Sequence, residues 1–373
     1  MQSFAVNPLR TLNGGQLTLV YVDGIRLHEY TWRMRGRPTM RQISQITGVS
    51  QSTVSRVLSG ADFRVPIAAN TRERVLKVVA ELGYTPNPLA RALRGARSAL
   101  LGLIVRDVSD PFFALVIEAV TNEARRRGYG VVLGHARSRA SEAVALQETL
   151  ATWHCDALIL LGDLRDQPAL MNELLGSELP VVGLCQGSRA PRMPVVNVDN
   201  AAGSAMALEL LHRLGHRRIA FVRGGWIFGD ARERQQAFRA FMRERNLALP
   251  RTYLQASEND LAGGFNAALA LLSLPRPPTA IYAASDKLAL GVLKAASIRG
   301  VRVPEELSVV GFDDIPMASY AIPSLTTIRQ PIEQMAKLAV DNVLELIGKS
   351  SAGWSKRIVR PELIQRDSCA SPR

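Results

Sequence analysis

The stretch GVSQSTVSRVL, residues 48–58, decides the fold of the first folded part of this chain. Just before it, Thr39 and Gln42 have the T-x-x-Q spacing of a capping box, which satisfies free N–H groups at a helix start. Gly48 tolerates the left-handed conformation that ends a helix, and Ser50 can cap the helix that follows. Two short helices joined by a tight turn are therefore predicted, an arrangement typical of a helix-turn-helix unit.

A third helix completes the predicted unit, which spans residues 34–83. This helix starts at Asn70 or Thr71 and ends before Gly83. Its apolar stripe at helical spacing consists of Val75, Val79 and Leu82. The second helix turns a matching apolar face inward, made of Val54, Val57 and Leu58. Helix boundaries and apolar stripes thus agree on a small three-helix core.

The polar face of the second helix has the residue types that recognise DNA. In a helix-turn-helix the second helix enters the major groove N-terminus first. The predicted base contacts, on the face away from the apolar residues, are Gln51, Ser52 and Arg56. Arg can pair with guanine and Gln with adenine, each worth ~1–3 kcal/mol of discrimination. The predicted phosphate contacts are Thr39, Ser50, Thr53, Ser55 and Thr71.

The distribution of charge favours a nucleic-acid partner. The net charge is +13, and residues 34–98 hold eleven basic residues against three acidic ones, an excess of eight. Such a concentration of positive charge is typical of proteins that bind a polyanion. The competing interpretations are ordinary helix capping and solvation for the serines and threonines, and a surface ion pair for Arg56.

The next segment, YTPNPLARALRGARS at residues 84–98, predicts a marginal hinge helix. Asn87 is a good cap and Pro88 a good first residue, but so short a helix would be unstable alone in water. A basic helix with an apolar tip can enter the minor groove and become ordered only on DNA. Here the apolar residues at i, i+4 spacing are Leu89 and Leu93, beside Arg91 and Arg94. The alternative is a linker whose leucines pack on a neighbouring domain.

From residue 99 onward, continuous apolar strands alternate with amphipathic helices. Examples of such strands are LLGLIV at 100–105, DALILLG at 156–162 and RIAFVRG at 218–224. This pattern implies parallel sheets covered on both faces. The strands are too many for one compact sheet, so an α/β core of two doubly wound lobes is predicted. Ligands of such folds bind beyond the carboxyl ends of the strands, where this chain carries many acidic and aromatic residues.

Composition and motifs disfavour several classes of protein. No apolar run approaches the ~18 residues of a membrane helix, and residues 1–33 lack a signal-peptide core. Cys155, Cys185 and Cys369 have neither disulfide nor metal-site spacing, which favours a reducing cytoplasm and no metal or cofactor. The sequence contains no GxSxG, HExxH or Walker motif, so no enzyme is expected. The rival functions are a transport binding protein, an activator and an architectural protein.

The N-terminal extension, residues 1–33, has no helical period and a single short apolar run, LTLVYV. Three interpretations are open: a small hairpin, a disordered tail, or a translated upstream region from a start codon assigned too early. The last is favoured, with Met34 as the natural start, because the organised pattern begins immediately afterwards. The intact mass of the protein from its native host tests this expectation.

The order of these parts resembles the lac repressor family, which includes the galactose and purine repressors. The resemblance covers residues 37–367, nearly everything except the N-terminal extension. The phrases that carry it are GVSQSTVSRVLSG, ELGYTPNPLARALR, DPFFALVIEAV, VDN at 198–200, LGHRRIAFV, RPPTAIYAASDKLALGVLKAASIRGVRVPEELSVVGFDDI and PSLTTIRQP. One such phrase would be weak evidence, whereas all of them in sequence are specific.

The resemblance implies a homodimer, or a tetramer, whose helix-turn-helix heads bind a pseudo-palindromic operator. It matches Leu93 to the family's minor-groove leucine, so the implied minor-groove contacts are Ala90, Arg91 and Leu93. It agrees on the three base contacts. It also implies a core similar to periplasmic sugar-binding proteins, with a small-molecule effector in the cleft. The matching effector positions are Asp110, Phe112, Phe113, Phe228, Asp230, Arg234, Asp286 and Asp313. Repression is the family's usual mode of regulation.

The same resemblance predicts three passages of the chain between the lobes. Lobe one is expected at about 99–197 and 330–349, and lobe two at about 198–329 and 350–373. Two departures from the family stand out. The first helix has Gln42-Ile43-Ser44 where the family usually has Asp-Val-Ala. Ala68, in the long segment ADFRVPIAAN, stands where the family caps its third helix with Ser or Thr, so one phosphate contact is not expected.

Carboxylates and an arginine at the predicted cleft favour a sugar or polyol as effector. They can form cooperative hydrogen bonds with vicinal hydroxyls, while Phe112 and Phe113 cover the apolar side of a ring. A purine or nucleoside is the second interpretation, because aromatic stacking serves bases as well. An anionic sugar acid or phosphate fits less well beside so many carboxylates. Asp286 and Asp313 could instead cap helices or close the fold, and Phe113 could belong to the core.

Overall fold

The computed structural model describes residues 16–23, 26–33, 38–59, 67–84, 97–136, 155–164, 168–177, 179–187, 193–224, 229–348 and 356–372. They belong to two compact units, Met1–Ala90 and Arg91–Arg373. The first unit contains the N-terminal extension and the head, which is described over residues 38–59 and 67–84. The second unit is the core.

The described part of the N-terminal extension is an antiparallel hairpin. Its strands are β1 (Gln16–Asp23) and β2 (Arg26–Arg33), with Asp23 paired to Arg26 across a two-residue connection. Short connections of this length are typical of hairpins. The two paired strands therefore agree with the interpretation as a hairpin and not with the interpretation as a disordered tail. A natural start at Met34 stays a prediction.

The head consists of three helices, α1 (Met40–Thr47), α2 (Gln51–Ser59) and α3 (Ala69–Leu82). The predicted capping box is confirmed: the Thr39 N–H donates to Gln42 Oε1 over 2.8 Å, and the Gln42 N–H donates to Thr39 Oγ1 over 3.3 Å. Gly48 ends α1 in the left-handed region, with φ of 68°. The small core of the head is formed by Ile43, Val54, Val57, Val75 and Val78.

The third helix ends at Leu82 before Gly83, as predicted, but it differs from the prediction at its start and in its apolar stripe. It begins one residue early, and its N-cap residue, Ala68, makes no side-chain cap hydrogen bond. Leu82 is 36% exposed, and Val78 lies in the core instead. The Tyr84 N–H donates to the Val79 carbonyl over 3.0 Å, which turns the chain back so that Tyr84 packs on the head core. Val78 and Tyr84 thus make the apolar contacts that were predicted for Leu82.

The first lobe of the core is built on a six-stranded parallel sheet. Its strands in spatial order are β13 (Lys356–Val359), β7 (Val195–Val198), β6 (Val181–Leu184), β5 (Ala157–Leu161), β3 (Leu100–Val105) and β4 (Gly130–His135). Its described helices are α4 (Pro111–Arg126), α5 (Pro168–Gly176) and α11 (Ile332–Ile347). β5 is buried along its whole length, as its apolar run requires.

The second lobe is built on a four-stranded parallel sheet. Its strands in spatial order are β11 (Ser308–Val310), β10 (Ala280–Ala283), β8 (Ile219–Arg223) and β9 (Leu254–Ala256). Its helices are α6 (Asn200–Arg213), α7 (Gly229–Glu244), α8 (Leu261–Leu272), α9 (Asp286–Ile298) and the short α10 (Pro316–Tyr320). A small antiparallel sheet joins β12 (Thr327–Arg329) to β14 (Glu362–Ile364).

The chain passes between the lobes after β7, after β12 and after β13. The predicted assignment of residues 350–373 to lobe two is wrong for Lys356–Val359, because this strand pairs with β7 in the sheet of lobe one. Lys356 and Ile358 are exposed, so this edge strand has no continuous apolar run that would identify it.

Two glycines allow α8 and α9 to pack closely. A Cβ at Gly264 would lie 2.2 Å from the Leu288 carbonyl oxygen, and a Cβ at Gly291 would lie 2.2 Å from the Leu261 carbonyl oxygen. Backbone atoms cannot yield to such a contact, so both positions require glycine. This packing fixes the position of the N-terminus of α9, which lies at the carboxyl end of the sheet.

Candidate functional site

The polar face of α2 is directed outward, as the sequence predicts. Gln51 and Ser52 are exposed and Arg56 is half-buried, whereas Val54 and Val57 are buried against the other helices of the head. The polar and apolar residues lie on different faces of the helix. The outer face of α2 can therefore meet a groove of DNA without disturbing the head core.

A cluster of hydroxyl groups forms the N-terminus of α2. Ser50 Oγ accepts from the Thr53 N–H over 3.2 Å and lies 2.7 Å from Ser52 Oγ. The expected cap at Ser50 is thus present, and it agrees with the capping interpretation as well as with a phosphate contact. Of the other predicted phosphate contacts, Thr39 is exposed, while Thr53, Ser55 and Thr71 are half-buried.

The helix starts of the head carry no negative charge. Over residues 38–59 and 67–84, none of the three helices has an acidic residue in its first turn. A helix N-terminus carries a partial positive charge of about 0.5, so a carboxylate would normally be favoured there. Free of carboxylates, these helix ends suit the phosphate oxygens of a nucleic acid.

Four residues of the predicted sites lie outside the described residues. They are the minor-groove candidates Ala90, Arg91 and Leu93, and the effector candidate Phe228. Their roles stay predictions.

A cleft lies between the two lobes, at the carboxyl ends of their parallel sheets. It encloses about 60 Å³ of space accessible to water. Six of the predicted effector residues line it: Asp110, Phe112, Phe113, Asp230, Arg234 and Asp313. The position agrees with the general rule for ligand sites in open parallel sheets.

Arg234 is a cation held rigidly in the wall of the cleft. It is 5% exposed, and its Nε donates to Asn200 Oδ1 over 2.8 Å. Its Nη1 donates to the Ala284 carbonyl over 2.6 Å and lies 3.5 Å from Asp313 Oδ1. The guanidinium carbon lies 3.5 Å from the centre of the Phe312 ring. Because contacts on several sides fix the planar group, it is preorganised for a ligand.

The carboxylates of Asp230 and Asp313 have raised pKa values. Burial raises the pKa of Asp313 to about 7, although Arg234 opposes the change. Burial also raises the pKa of Asp230, again opposed by Arg234. The Asp230 Oδ1 atom accepts from Asn197 Nδ2 over 2.8 Å and from Asn200 Nδ2 over 2.9 Å. Carboxylates that are costly to ionise gain further stabilisation from ligand hydroxyls that donate to them.

Gln330 lines the same cleft and is absent from the sequence-based predictions. It is 3% exposed, and its Nε2 donates to Asp313 Oδ1 over 2.7 Å. Its Oε1 is buried and has no hydrogen-bond partner among the residues that the structure describes. A buried acceptor left unsatisfied costs ~1–3 kcal/mol, so this atom is suited to a donor from a ligand. Gln330 directly follows β12, and this position at the end of a core strand is the feature of the sequence that could have identified it.

The structure does not place Asp286 in the cleft, which corrects its predicted role. This residue is fully buried, and its Oδ1 accepts from Thr327 Oγ1 over 2.5 Å while its Oδ2 accepts from the Ile315 N–H over 2.9 Å. Burial raises its pKa well above the ordinary range. Asp286 therefore connects the start of α9 to the segments that contain Ile315 and Thr327. This agrees with the alternative interpretation, in which Asp286 closes the fold.

Asp110 lines the cleft but is already engaged. Its Oδ1 accepts from the Phe112 N–H over 3.0 Å and caps α4, while its Oδ2 lies 2.7 Å from Lys287 Nζ. Lys287 belongs to lobe two and is another residue absent from the predictions. A further contact crosses the cleft where the Gly229 N–H donates to Asp163 Oδ2 over 2.9 Å. The two lobes are thus joined by polar contacts at the edge of the cavity.

Phe113 is the aromatic wall of the cleft. It is half-buried and lines the cavity. Phe112 also lines the cavity, but it is 5% exposed and belongs mainly to the hydrophobic core. A Cβ at Gly162 would lie 2.8 Å from Phe113 Cζ, and φ at this glycine is 84°. Glycine at this position therefore allows the ring to lie against the loop after β5, with one face available to the cavity.

Other kinds of site find no support in the described ranges. Within them, no group of three or more His, Cys, Asp or Glu residues could hold a metal ion. No described helix combines the length and hydrophobicity that crossing a membrane requires. Cys155, Cys185 and Cys369 are free, and burial raises the pKa of each thiol.

Comparison with known proteins agrees with this division into head and core. Residues 39–87 match the model of bacterial regulatory proteins of the lacI family, and residues 208–369 match the periplasmic binding protein-like domain. The ribose operon repressor of Haemophilus influenzae is 31% identical over 334 residues, which is 89% of this chain and 99% of that protein.

Two solved structures show the same architecture. The lac repressor dimer bound to operator and the anti-inducer ONPF is 27% identical, with a TM-score of 0.79 over 90% of this chain and 99% of that chain. The complex of the transcriptional regulator CelR with cellobiose is 28% identical, with a TM-score of 0.67 over 89% of this chain and 100% of that chain. These similar proteins are regulators of transcription rather than enzymes. With both family models matched and one relative similar over almost its full length, the chain belongs to the lacI family of DNA-binding transcriptional repressors, which are controlled by sugar or nucleoside effectors.

Proposed function

We propose that this protein is a homodimeric repressor whose binding to a pseudo-palindromic operator is set by a neutral sugar or polyol in the cleft. The observation that carries the effector class is the group of Arg234, Asp313 and Gln330 on one wall, together with the half-buried ring of Phe113. Because its proposed partner is operator DNA, the protein acts in the cytoplasm.

On the DNA side, Gln51, Ser52 and Arg56 are the base contacts. Two observations support this role: Gln51 and Ser52 are exposed on the polar face of α2, and the helix starts of the described head lack acidic residues. The phosphate contacts are Thr39, Ser50, Thr53, Ser55 and Thr71, which position the head without specifying the sequence. Ala90, Arg91 and Leu93 act in the minor groove.

On the effector side, the wall offers both donors and acceptors at short range. Asp313 and the unsatisfied Gln330 Oε1 accept hydrogen bonds, and Arg234 donates them. Vicinal hydroxyls match this pattern because each hydroxyl both donates and accepts. The Phe113 ring covers the apolar face of a sugar. An anionic ligand would instead lie beside the carboxyl groups of Asp110, Asp230 and Asp313, which disfavour a second negative charge.

A purine or nucleoside is the second candidate effector. The observation in its favour is the Phe113 ring, since a flat base can stack on an aromatic face. A nucleoside also carries the vicinal hydroxyls that suit Asp313 and Gln330. The names of similar proteins support the sugar: one is a ribose operon repressor and another is a regulator in complex with cellobiose.

Regulation follows from a shift between two arrangements of the lobes. In a dimer, the core sets the distance between the two hinge segments and so between the heads. An effector that prefers one arrangement changes how well both heads fit the operator. A coupling free energy of ~1–3 kcal/mol changes operator affinity by about 5–150-fold.

A thermal-shift screen of neutral sugars, polyols and nucleosides on the full chain tests the effector class. A ligand at a hundred times its Kd stabilises the folded core by about 2.7 kcal/mol, which such a screen detects. The same compounds are then tested for a change in operator affinity. Stabilisation by nucleosides alone would select the second candidate, and stabilisation by sugar phosphates alone would refute the neutral ligand.

A further inference from the structure

An ion pair joins the two lobes beside the cleft. Lys287 Nζ lies 2.7 Å from Asp110 Oδ2, and the two side chains are only 14% and 13% exposed. Asp110 is the N-cap of α4 in lobe one, and Lys287 lies in the first turn of α9 in lobe two. The two residues are 177 positions apart in the chain, so the contact exists only while the lobes are close.

Lys287 occupies a place that its own helix disfavours. The first turn of a helix has a partial positive charge, which repels a cation and favours an anion. Asp110 has the opposite situation, since its carboxylate lies at the start of α4 and caps it through Oδ1. The lysine therefore gains its favourable interaction from the other lobe rather than from α9.

Separation of the lobes would change the surroundings of these two residues unequally. Asp110 would keep its cap on α4, whereas Lys287 would lose the described ion pair and stay beside the positive end of α9. A partly buried pair is also less screened by water and salt than a surface pair. The contact thus favours the closed arrangement of the lobes.

We propose that the Asp110–Lys287 ion pair is a latch that holds the lobes together over the cavity before an effector arrives. Lys287 is then a positioning residue: it acts through Asp110 and sets how often the cleft opens to admit an effector. Relevance to regulation rests on the proposed function of the cleft, whereas the latch itself is a property of the protein without ligand.

The test measures the distance between the lobes in the full chain without ligand. Cysteines at the exposed positions Glu118 on α4 and Asn266 on α8 carry spin labels for pulsed EPR. Burial raises the pKa of the three native thiols, which keeps them poorly reactive with the label. The unlatched variants are Lys287→Met and Asp110→Asn; the asparagine keeps an N-cap acceptor for α4. Lys294→Met, an exposed lysine on the same helix, is the matched control.

We expect each unlatched variant to raise the population of the longer distance about tenfold, equivalent to ~1.4 kcal/mol. The double variant should add little to either single change, because both remove the same pair. Distance distributions that match the wild type in both single variants would overturn the latch, as would an equal change in Lys294→Met. No effector is used, so this result is independent of the effector class.

Discussion

Replacement of Asp313 by Asn should stabilise the core above neutral pH and abolish its response to effector. Asp313 is 7% exposed, and burial raises its pKa from 3.8 to about 7. At ~1.36 kcal/mol for each pKa unit, ionisation of this carboxyl in the folded state costs about 4 kcal/mol above pH 7. Asn has nearly the same shape and no charge to bury. It also tolerates the positive φ of 119° at this position.

The sign of the pH dependence follows from the raised pKa. Folded protein binds the Asp313 proton more tightly than unfolded protein does, so wild-type stability falls as pH rises from about 4 to about 7. Asn removes this contribution. Calorimetry of both proteins at pH 5 and pH 8 should show the variant gaining most at pH 8, with a Tm of the core roughly 5–10 °C above that of the wild type.

The neighbouring residue provides the control. Asp314 lies 2.7 Å from Arg329 Nε and 2.6 Å from Arg366 Nη2, so Asp314→Asn breaks ion pairs and should lower the Tm at both pH values. A variant at Asp313 that is less stable than the wild type at pH 8, or whose gain does not depend on pH, refutes the reasoning. Operator binding should persist in Asp313→Asn while added effector no longer changes it.

Three further outcomes are expected. Arg56→Ala should reduce operator selectivity by ~1–3 kcal/mol in competition binding and leave salt-dependent nonspecific binding largely intact; unchanged selectivity would exclude a base contact. Arg234→Ala removes the buried guanidinium that packs on Phe312 and donates to Asn200 and to the Ala284 carbonyl, so it should lower the free energy of unfolding by about 2–5 kcal/mol and abolish the effector response. A normal response would remove Arg234 from the site. Gly291→Ala puts a Cβ 2.2 Å from the Leu261 carbonyl oxygen, so it should lower the free energy of unfolding, measured with denaturant, by about 1–3 kcal/mol or more. A variant as stable as the wild type would show that α8 and α9 can move apart.

Features set by neighbours in the chain could be predicted from the sequence. The capping box of Thr39 and Gln42 and the left-handed Gly48 depend on contacts within a few residues, and both are present. The apolar runs of the parallel strands were equally clear, because strands buried on both faces need them. The edge strand Lys356–Val359 has a partly exposed surface and therefore carried no such signal.

Features set by distant packing could not be predicted. Asp286 and Asp313 both follow strands of lobe two, yet one bonds to the Ile315 N–H inside the fold and the other faces the cleft. Which way each carboxylate turns depends on the loops around it and not on its own sequence neighbours. The partnership of Lys287 with Asp110 has the same origin, since only the approach of the two lobes creates it.

Polar groups in and around the cleft lie beside the passages of the chain between the lobes. Asn197 and Asn200 flank the first passage and both donate to Asp230, and Asn200 also holds Arg234. Gln330 lies at the second passage, between β12 and α11. A ligand shifts an equilibrium only through its different affinity for the two arrangements. We propose that contacts at the passages supply that difference, because movement of the lobes about these segments would change the distances among the same groups.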